Sequence, residues 1–194
     1  MRKISPEIEN PFDNVLIDLA DKLCPLLKKW NFTPNQLTTI SLLLTVINLV
    51  LVWYGYYYWA AVFFLLSYFF DILDGHFARK YEMTTTFGDY YDHVTDFIAN
   101  CGIFVLILYK LETKRERVLF VAIFAILLLT LSVQIGCQEK IHGKGQSASL
   151  KPLEALCPYP QEMIKYARYG GCGTYMLFIA AFLVYMGTKQ SRKR

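Results

Sequence analysis

The sequence predicts an all-α protein: a polytopic transmembrane helical bundle with five clear spans and an N-terminal amphipathic helix at the membrane interface. Three observations carry this. Of 194 residues, 55% are hydrophobic and 16% aromatic. The apolar residues come in blocks without a single charge, at 37–54, 56–70, 97–109, 118–138 and 169–188. Stretches that are polar, or contain glycine and proline, separate the blocks. An uncharged run of about 18 residues or more spans the roughly 30 Å of bilayer hydrocarbon. The shorter blocks reach that length only if polar residues at one end sit inside protein. A soluble bundle would instead spread its apolar residues along amphipathic helices.

Residues 12–30 (FDNVLIDLADKLCPLLKKW) alternate apolar and charged positions with a helical period. Val15, Leu16, Leu19, Leu23, Leu26, Leu27 and Trp30 share one broad face, while Asp13, Asp18, Asp21, Lys22 and Lys28 lie mostly on the other. That pattern predicts a helix lying on the bilayer, and Pro25 predicts a kink or two shorter helices. The segment 1–33 is thus an interfacial element, followed by a membrane domain over 34–188 and a basic tail at 189–194. MRKISPEIEN has no apolar run, so no cleavable signal peptide is expected.

Thr33-Pro34 marks a helix start, a capping hydroxyl followed by proline at the first helical position. The first span runs from about Pro34 to Tyr54, with Gly55 as the turn, and the second from about Tyr57 through Arg79. Residues 81–86 form a short turn. The third span starts near Phe87 or Gly88 and ends at Lys110. KLETKRER is a charged turn, the fourth span covers about Val118 to Gln138, and 139–160 reads as a loop with room for a short helix. The last span covers about Tyr166 to Gly187. Lys and Arg are modestly in excess on the side of the N-terminus, which places that side in the cytoplasm.

The five cysteines (Cys24, Cys101, Cys137, Cys157, Cys172) form no CxxC pair and are odd in number. They read as small hydrophobes rather than as disulfides or zinc ligands. The net charge is +4, with the basic residues flanking the apolar blocks. This suits membrane lipid headgroups or phosphate substrates, and no nucleic acid partner is expected.

The chemistry concentrates in Asp71 to Asp96, DILDGHFARKYEMTTTFGDYYDHVTD. Asp71, Asp74, Gly75 and Ala78 fall on one helix face, with Arg79 one turn after Gly75. Gly88, Asp92 and Asp96 fall at i, i+4, i+8 on the next span. Two antiparallel helices joined by a short turn can point these faces at each other. Four carboxylates near a membrane need compensation, since each costs roughly 2.5–3.5 kcal/mol on insertion scales. Protonation is one answer. Divalent cations are the other, and oxygen-only ligands favour Mg²⁺, Mn²⁺ or Ca²⁺ over zinc. Gly75, Ala78 and Gly88 leave room for a ligand, and Arg79 offers a planar fork suited to phosphate. Together these suit phosphoryl transfer with two metals. The alternative from another class is a divalent-cation or proton-coupled transporter, which predicts acids spread over bilayer depth and repeat symmetry. Here the acids cluster near one end and no repeat is visible.

The pattern DxxDGxxAR, eight residues, GxxxDxxxD resembles the signature of the CDP-alcohol phosphotransferase (CDP-alcohol phosphatidyltransferase) family, matched at Asp71, Asp74, Gly75, Ala78, Arg79, Gly88, Asp92 and Asp96. Pro34-Asn35 and Thr38 resemble the PNxxT element of its first span. The resemblance implies an integral-membrane transferase of phospholipid synthesis, in which an alcohol attacks a CDP-linked donor and releases CMP. It implies a pair of Mg²⁺ or Mn²⁺ ions held by Asp71, Asp74 and Asp92 with Asp96 close by, Asp96 as general base, and Asn35, Thr38, Gly75, Arg79 and Thr85 on the donor. It further implies a site facing the cytoplasm and a homodimer; the family norm is six spans against the five counted here. The short chain leans to CDP-diacylglycerol as donor. The alternative is a CDP-choline or CDP-ethanolamine:diacylglycerol phosphotransferase, some members of which carry the Asp92-His93 dipeptide. His93 lies off the Asp92–Asp96 face and reads as a polar contact between helices rather than a catalytic group, and Asp89 is given the same reading. Lys140, His142, Lys144 and Lys151 are candidates for binding a phosphorylated acceptor, though such residues are more often a solvated loop.

Overall fold

A computed structural model describes residues 2, 4–142 and 151–193. Among them there are helices and turns but no strand. The helices are α1 (Pro11–Lys29), α2 (Pro34–Tyr54), α3 (Tyr57–Lys80), α4 (Thr86–Lys110), α5 (Lys114–His142), α6 (Pro160–Ala167) and α7 (Cys172–Ser191). A 3₁₀ helix at Lys151–Leu156 precedes α6, and one at Arg168–Gly170 links α6 to α7. Five stretches are long and apolar enough to cross a membrane: α2, α3, α4, α5 and Pro160–Ser191. This is the polytopic helical bundle that the charge-free blocks predict. The chain divides into two compact units.

The first unit takes Met1–Lys3, Leu16–Glu112 and Met176–Arg194. Helix α2 starts where Thr33-Pro34 predicts. The Thr33 hydroxyl accepts from the Gln36 N–H and the Gln36 side chain accepts from the Thr33 N–H, closing a capping box. Gly55 ends the helix in the left-handed conformation (φ 80°), which a residue with a Cβ rarely adopts. The α2–α3 packing is polar at its centre. Ser41 donates to the Ser67 carbonyl (2.9 Å), Thr45 and Ser67 share a hydrogen bond (2.7 Å), and Asn48 donates to the Ala60 carbonyl (2.6 Å). Thr38, Ser41, Thr45 and Asn48 form a buried stripe at i+3 and i+4 spacing. In hydrocarbon there is no hydrophobic drive between helices, so small residues and interhelical hydrogen bonds hold them together.

Helix α1 is one continuous helix with Pro25 inside it, not two shorter ones. Proline 25 has no N–H to give the Asp21 carbonyl, and Lys80 Nζ donates to that carbonyl instead (3.2 Å). The apolar face of α1 is split. Ala20 and Cys24 are fully buried against Leu37, Leu73 and Phe77, with Leu23 and Leu27 beside them. Val15, Leu19, Leu26 and Trp30 stay exposed, the arrangement of a helix that docks along one edge and meets lipid along the other. Helix α4 exposes Phe87, Tyr90, Val94 and Phe97 on its outer side.

The second unit takes Ile4–Val15 and Thr113–Tyr175. Its N-terminal segment is held by buried polar groups. Glu9 accepts from Gln134 (3.4 Å) and Gln138 (3.3 Å), Asn10 donates to the Arg168 carbonyl (2.7 Å), and Asp13 accepts the Gly173 N–H (3.1 Å). Helix α5 begins four residues before Val118, inside the expected charged turn. Thr113 and Glu116 make reciprocal hydrogen bonds there, which turn the run into a helix start. Cys137 and Cys157 form a disulfide, correcting their reading as free small hydrophobes. Both sit fully buried with Ile164, flanked by Ile8, Val133 and Met163, because the chain after α5 returns to α5. Gly136 allows that return: a Cβ there would lie 2.1 Å from the Leu153 carbonyl oxygen.

Candidate active site

The last three turns of α3 and the first three of α4 bring the acids together. Asp71, Asp74 and Asp92 each offer a carboxylate oxygen, and these oxygens lie within 4.8 Å of one another. Asp74 is 3% exposed. Its Oδ2 and the Oδ1 of Asp92 are buried without a hydrogen-bond partner. Orphaned anionic oxygens of this kind are costly in a dry site, and a hard divalent cation is the group that three converging carboxylates satisfy. The residues therefore fit a Mg²⁺ or Mn²⁺ site. Asp96 stands outside this trio and is more exposed. It is close enough to Asp71 and Asp92 for like-charge repulsion.

Beside the acids is a cleft of about 120 Å³ lined by Pro34, Asn35, Thr38, Asp74, Gly75, Ala78, Arg79, Met83, Thr84, Thr85, Gly88, Asp89 and Asp92. All five residues expected to touch a CDP donor, Asn35, Thr38, Gly75, Arg79 and Thr85, lie on it. Asp71 and Asp96 do not. Helix geometry explains the floor: Gly75, Ala78 and Arg79 share the face of α3 that carries Asp74. The missing side chains are needed. A Cβ on Gly75 would stand 3.1 Å from Arg79 Nη1, and one on Gly88 would stand 3.0 Å from both Asn35 Oδ1 and Thr85 Oγ1. Thr85 also caps α4, accepting the Gly88 N–H at 3.0 Å. The start of α4, the positive end of its dipole, thus borders the cleft.

Met83, Thr84 and Asp89 line the cleft without having been singled out for it. Asp89, read from the sequence as a bland polar contact like His93, sits in the first turn of α4 and lines the cleft. The sequence signal is its spacing: Asp89, Asp92 and Asp96 fall at i, i+3 and i+7 on one face of α4. His93 is exposed, and its Nδ1 donates to the Asp89 carbonyl one turn back (2.6 Å). Lys140 donates to the Cys157 carbonyl (2.7 Å). Lys144 lies outside the described residues, as do the side chains of His142 and Lys151.

Converging carboxylates, an arginine and a capped helix start around one cleft define a polytopic helical membrane protein with an acidic site at the ends of two of its spans. Comparison narrows the class: the model of the CDP-alcohol phosphatidyltransferase family matches residues 31–189. The chain belongs to that family. It is also similar to a phosphatidylinositol phosphate synthase of Corynebacterium glutamicum, at 29% identity over 147 residues. That match covers 75% of this chain and 66% of the relative, just under two thirds of its length. No solved structure gives a significant match.

Proposed function

We propose that the chain transfers the phosphatidyl group of CDP-diacylglycerol to a small polar alcohol, releasing CMP. One observation carries the reading: two members of the three-carboxylate cluster, Asp74 and Asp92, and all five expected donor-binding residues border a single cleft. The name of the relative, a synthase of phosphatidylinositol phosphate, supports a phosphatidyl group as the part transferred.

In this reading Arg79 binds the donor diphosphate with its planar fork, while the Thr85-capped start of α4 presents N–H groups to the same phosphates. Asn35 and Thr38 on α2 fix the rest of the nucleotide. Asp71, Asp74 and Asp92 hold the metal pair, with Asp96 near it; when bound, the metals neutralise the diphosphate and the departing CMP. Asp96 takes the proton of the attacking hydroxyl. An O–P bond forms to the acceptor oxygen, the bond to CMP breaks, and CMP leaves with the electron pair. The cleft opens to the cytoplasm, where soluble nucleotide and lipid both reach it, and the working form is a homodimer.

The test is CMP release by purified protein in lipid vesicles with Mg²⁺ or Mn²⁺. CDP-diacylglycerol, CDP-choline and CDP-ethanolamine are offered separately with a pool of acceptors. Release from CDP-diacylglycerol alone, lost in Asp96→Asn, is expected. Release from CDP-choline or CDP-ethanolamine with diacylglycerol would reassign the subclass, and no release from any donor by folded protein would sink the reading.

A further inference from the structure

We propose that Asp21, on the interfacial helix α1, is a positioning residue for the metal-binding turn of α3, acting through His76 and Lys80. The inference rests on the phosphotransfer reading of the cleft.

Three contacts from one residue meet two positions one turn apart. His76 Nε2 donates to Asp21 Oδ1 (2.8 Å), and Lys80 Nζ donates to the same oxygen (2.7 Å) and to the Asp21 carbonyl (3.2 Å). The carbonyl is available only because Pro25 cannot donate to it. His76 is 2% exposed, so this contact is no loose surface pairing. Below it, Ala20 and Cys24 of α1 pack on Leu73 and Phe77 of α3.

The angular arithmetic gives these contacts a purpose. At about 100° per residue, His76 and Lys80 lie roughly 120–160° around α3 from Asp74 and Ala78. The tie grips the turn on the side away from Asp74 and Ala78. A side-chain atom stands about 5–6 Å from the helix axis, so a rotation of about 10° displaces it by about 1 Å. A misplacement of that size costs on the order of 10²-fold in a reaction that depends on alignment. Two grips one turn apart resist that rotation, which a single contact would not. His76 sits two residues after Asp74 and lies about 160° around the helix from it.

The test compares wild type, Asp21→Ala and Asp21→Glu in lipid nanodiscs. Mn²⁺ binding is read by electron paramagnetic resonance, kcat and donor KM by CMP release, and folding by thermal melting. Asp21→Ala is expected to bind Mn²⁺ about tenfold more weakly, the low end for loss of an orienting partner. It should also lose about tenfold in kcat with donor KM changed less than about twofold. Asp21→Glu, which keeps the charge, is expected to recover most of the Mn²⁺ affinity. A folded Asp21→Ala that binds Mn²⁺ like wild type overturns the proposal, whatever its melting temperature, and leaves α1 docking as the only role. If Asp21→Ala does not fold, Asp21→Asn is judged by the same criteria. Wild-type protein that releases no CMP yet binds Mn²⁺ would defeat the functional reading alone, and the Mn²⁺ comparison would still decide the role of Asp21. Wild-type protein that takes up no Mn²⁺ would defeat both.

Discussion

The guanidinium of Arg79 lies directly over Gly75: a Cβ on Gly75 would stand 3.1 Å from Arg79 Nη1. The clash is with the far end of a flexible side chain, so Gly75→Ala should not unfold the helix. Alanine gains up to about 1 kcal/mol of helix propensity over glycine, and the arginine swings aside. The expected result is an unchanged or slightly raised melting temperature together with roughly tenfold weaker binding of CDP, read by calorimetry. Equal CDP affinity would mean that Arg79 does not reach the donor from where it lies.

Gly88→Ala meets a harder surface. Its Cβ would press at 3.0 Å on both Asn35 Oδ1 and Thr85 Oγ1, two short side chains with little room to move. Losing the Thr85 cap costs about 1 kcal/mol, and the alanine returns about as much. Stability should therefore change by less than about 1 kcal/mol, while CMP release falls as α2 and α4 are forced apart at the cleft. A large drop in melting temperature with activity intact would contradict this.

The fold was legible where one short segment decides it. Charge-free blocks locate the spans, and Thr33-Pro34 locates the start of α2. The acids were legible because α3 and α4 are adjacent in sequence and joined by a turn of a few residues, so helical spacing on each predicts a shared cleft. Two local signals were present and overlooked. Thr113-Lys-Arg-Glu116 is itself a capping box and starts α5 within the charged run. The stripe Thr38, Ser41, Thr45, Asn48 marks the packed face of α2 inside an otherwise uniform apolar block. Other features depend on partners far apart in the chain. No periodicity links Asp21 to His76, and no spacing rule pairs Cys137 with Cys157.

That disulfide closes a loop of 20 residues. By the chain-entropy estimate, such a closure contributes roughly 3 kcal/mol against the unfolded state. Cys137→Ser/Cys157→Ser should melt lower than wild type, and reductant should lower wild type but not the double variant. If reductant leaves the wild-type melting curve unmoved, either the bond does not form in the protein or the loop is held by its other contacts.

The Asp21 tie also has a pH signature. Its hydrogen bond from Lys80, then that from His76, holds the Asp21 carboxyl down from 3.8 to about 2. These two are the charged or titratable groups that face it from α3. A carboxyl whose folded value is depressed adds stability above its unfolded value and loses it as pH falls through the folded one. The contribution is thus present above about pH 4 and disappears between about pH 4 and 2. The carboxylate is more than half exposed, so screening keeps the effect modest. The melting difference between wild type and Asp21→Asn should be visible at about pH 5, shrink with added salt, and vanish toward pH 2. A difference that persists at pH 2 would show that the charge of Asp21 is irrelevant to it.

Asp96 and Asp74 should separate metal binding from proton transfer. Asp74 belongs to the three-carboxylate cluster and keeps a buried oxygen without a partner. Asp96 lies one turn beyond Asp92, outside that cluster and more exposed. Asn in place of Asp74 removes a ligand charge, so Mn²⁺ binding and CMP release should fall together. Asn in place of Asp96 keeps the shape but cannot take a proton. It should lower CMP release by about 10²–10⁴-fold, the usual worth of a positioned general base, while Mn²⁺ binding changes only a few-fold. The check is Mn²⁺ titration by paramagnetic resonance beside CMP release for both variants. If Asp96→Asn loses Mn²⁺ as strongly as Asp74→Asn does, Asp96 is a ligand first, and another group must receive the hydroxyl proton. Asp89, which lines the cleft and lies in the first turn of α4, would then be the next carboxylate to test.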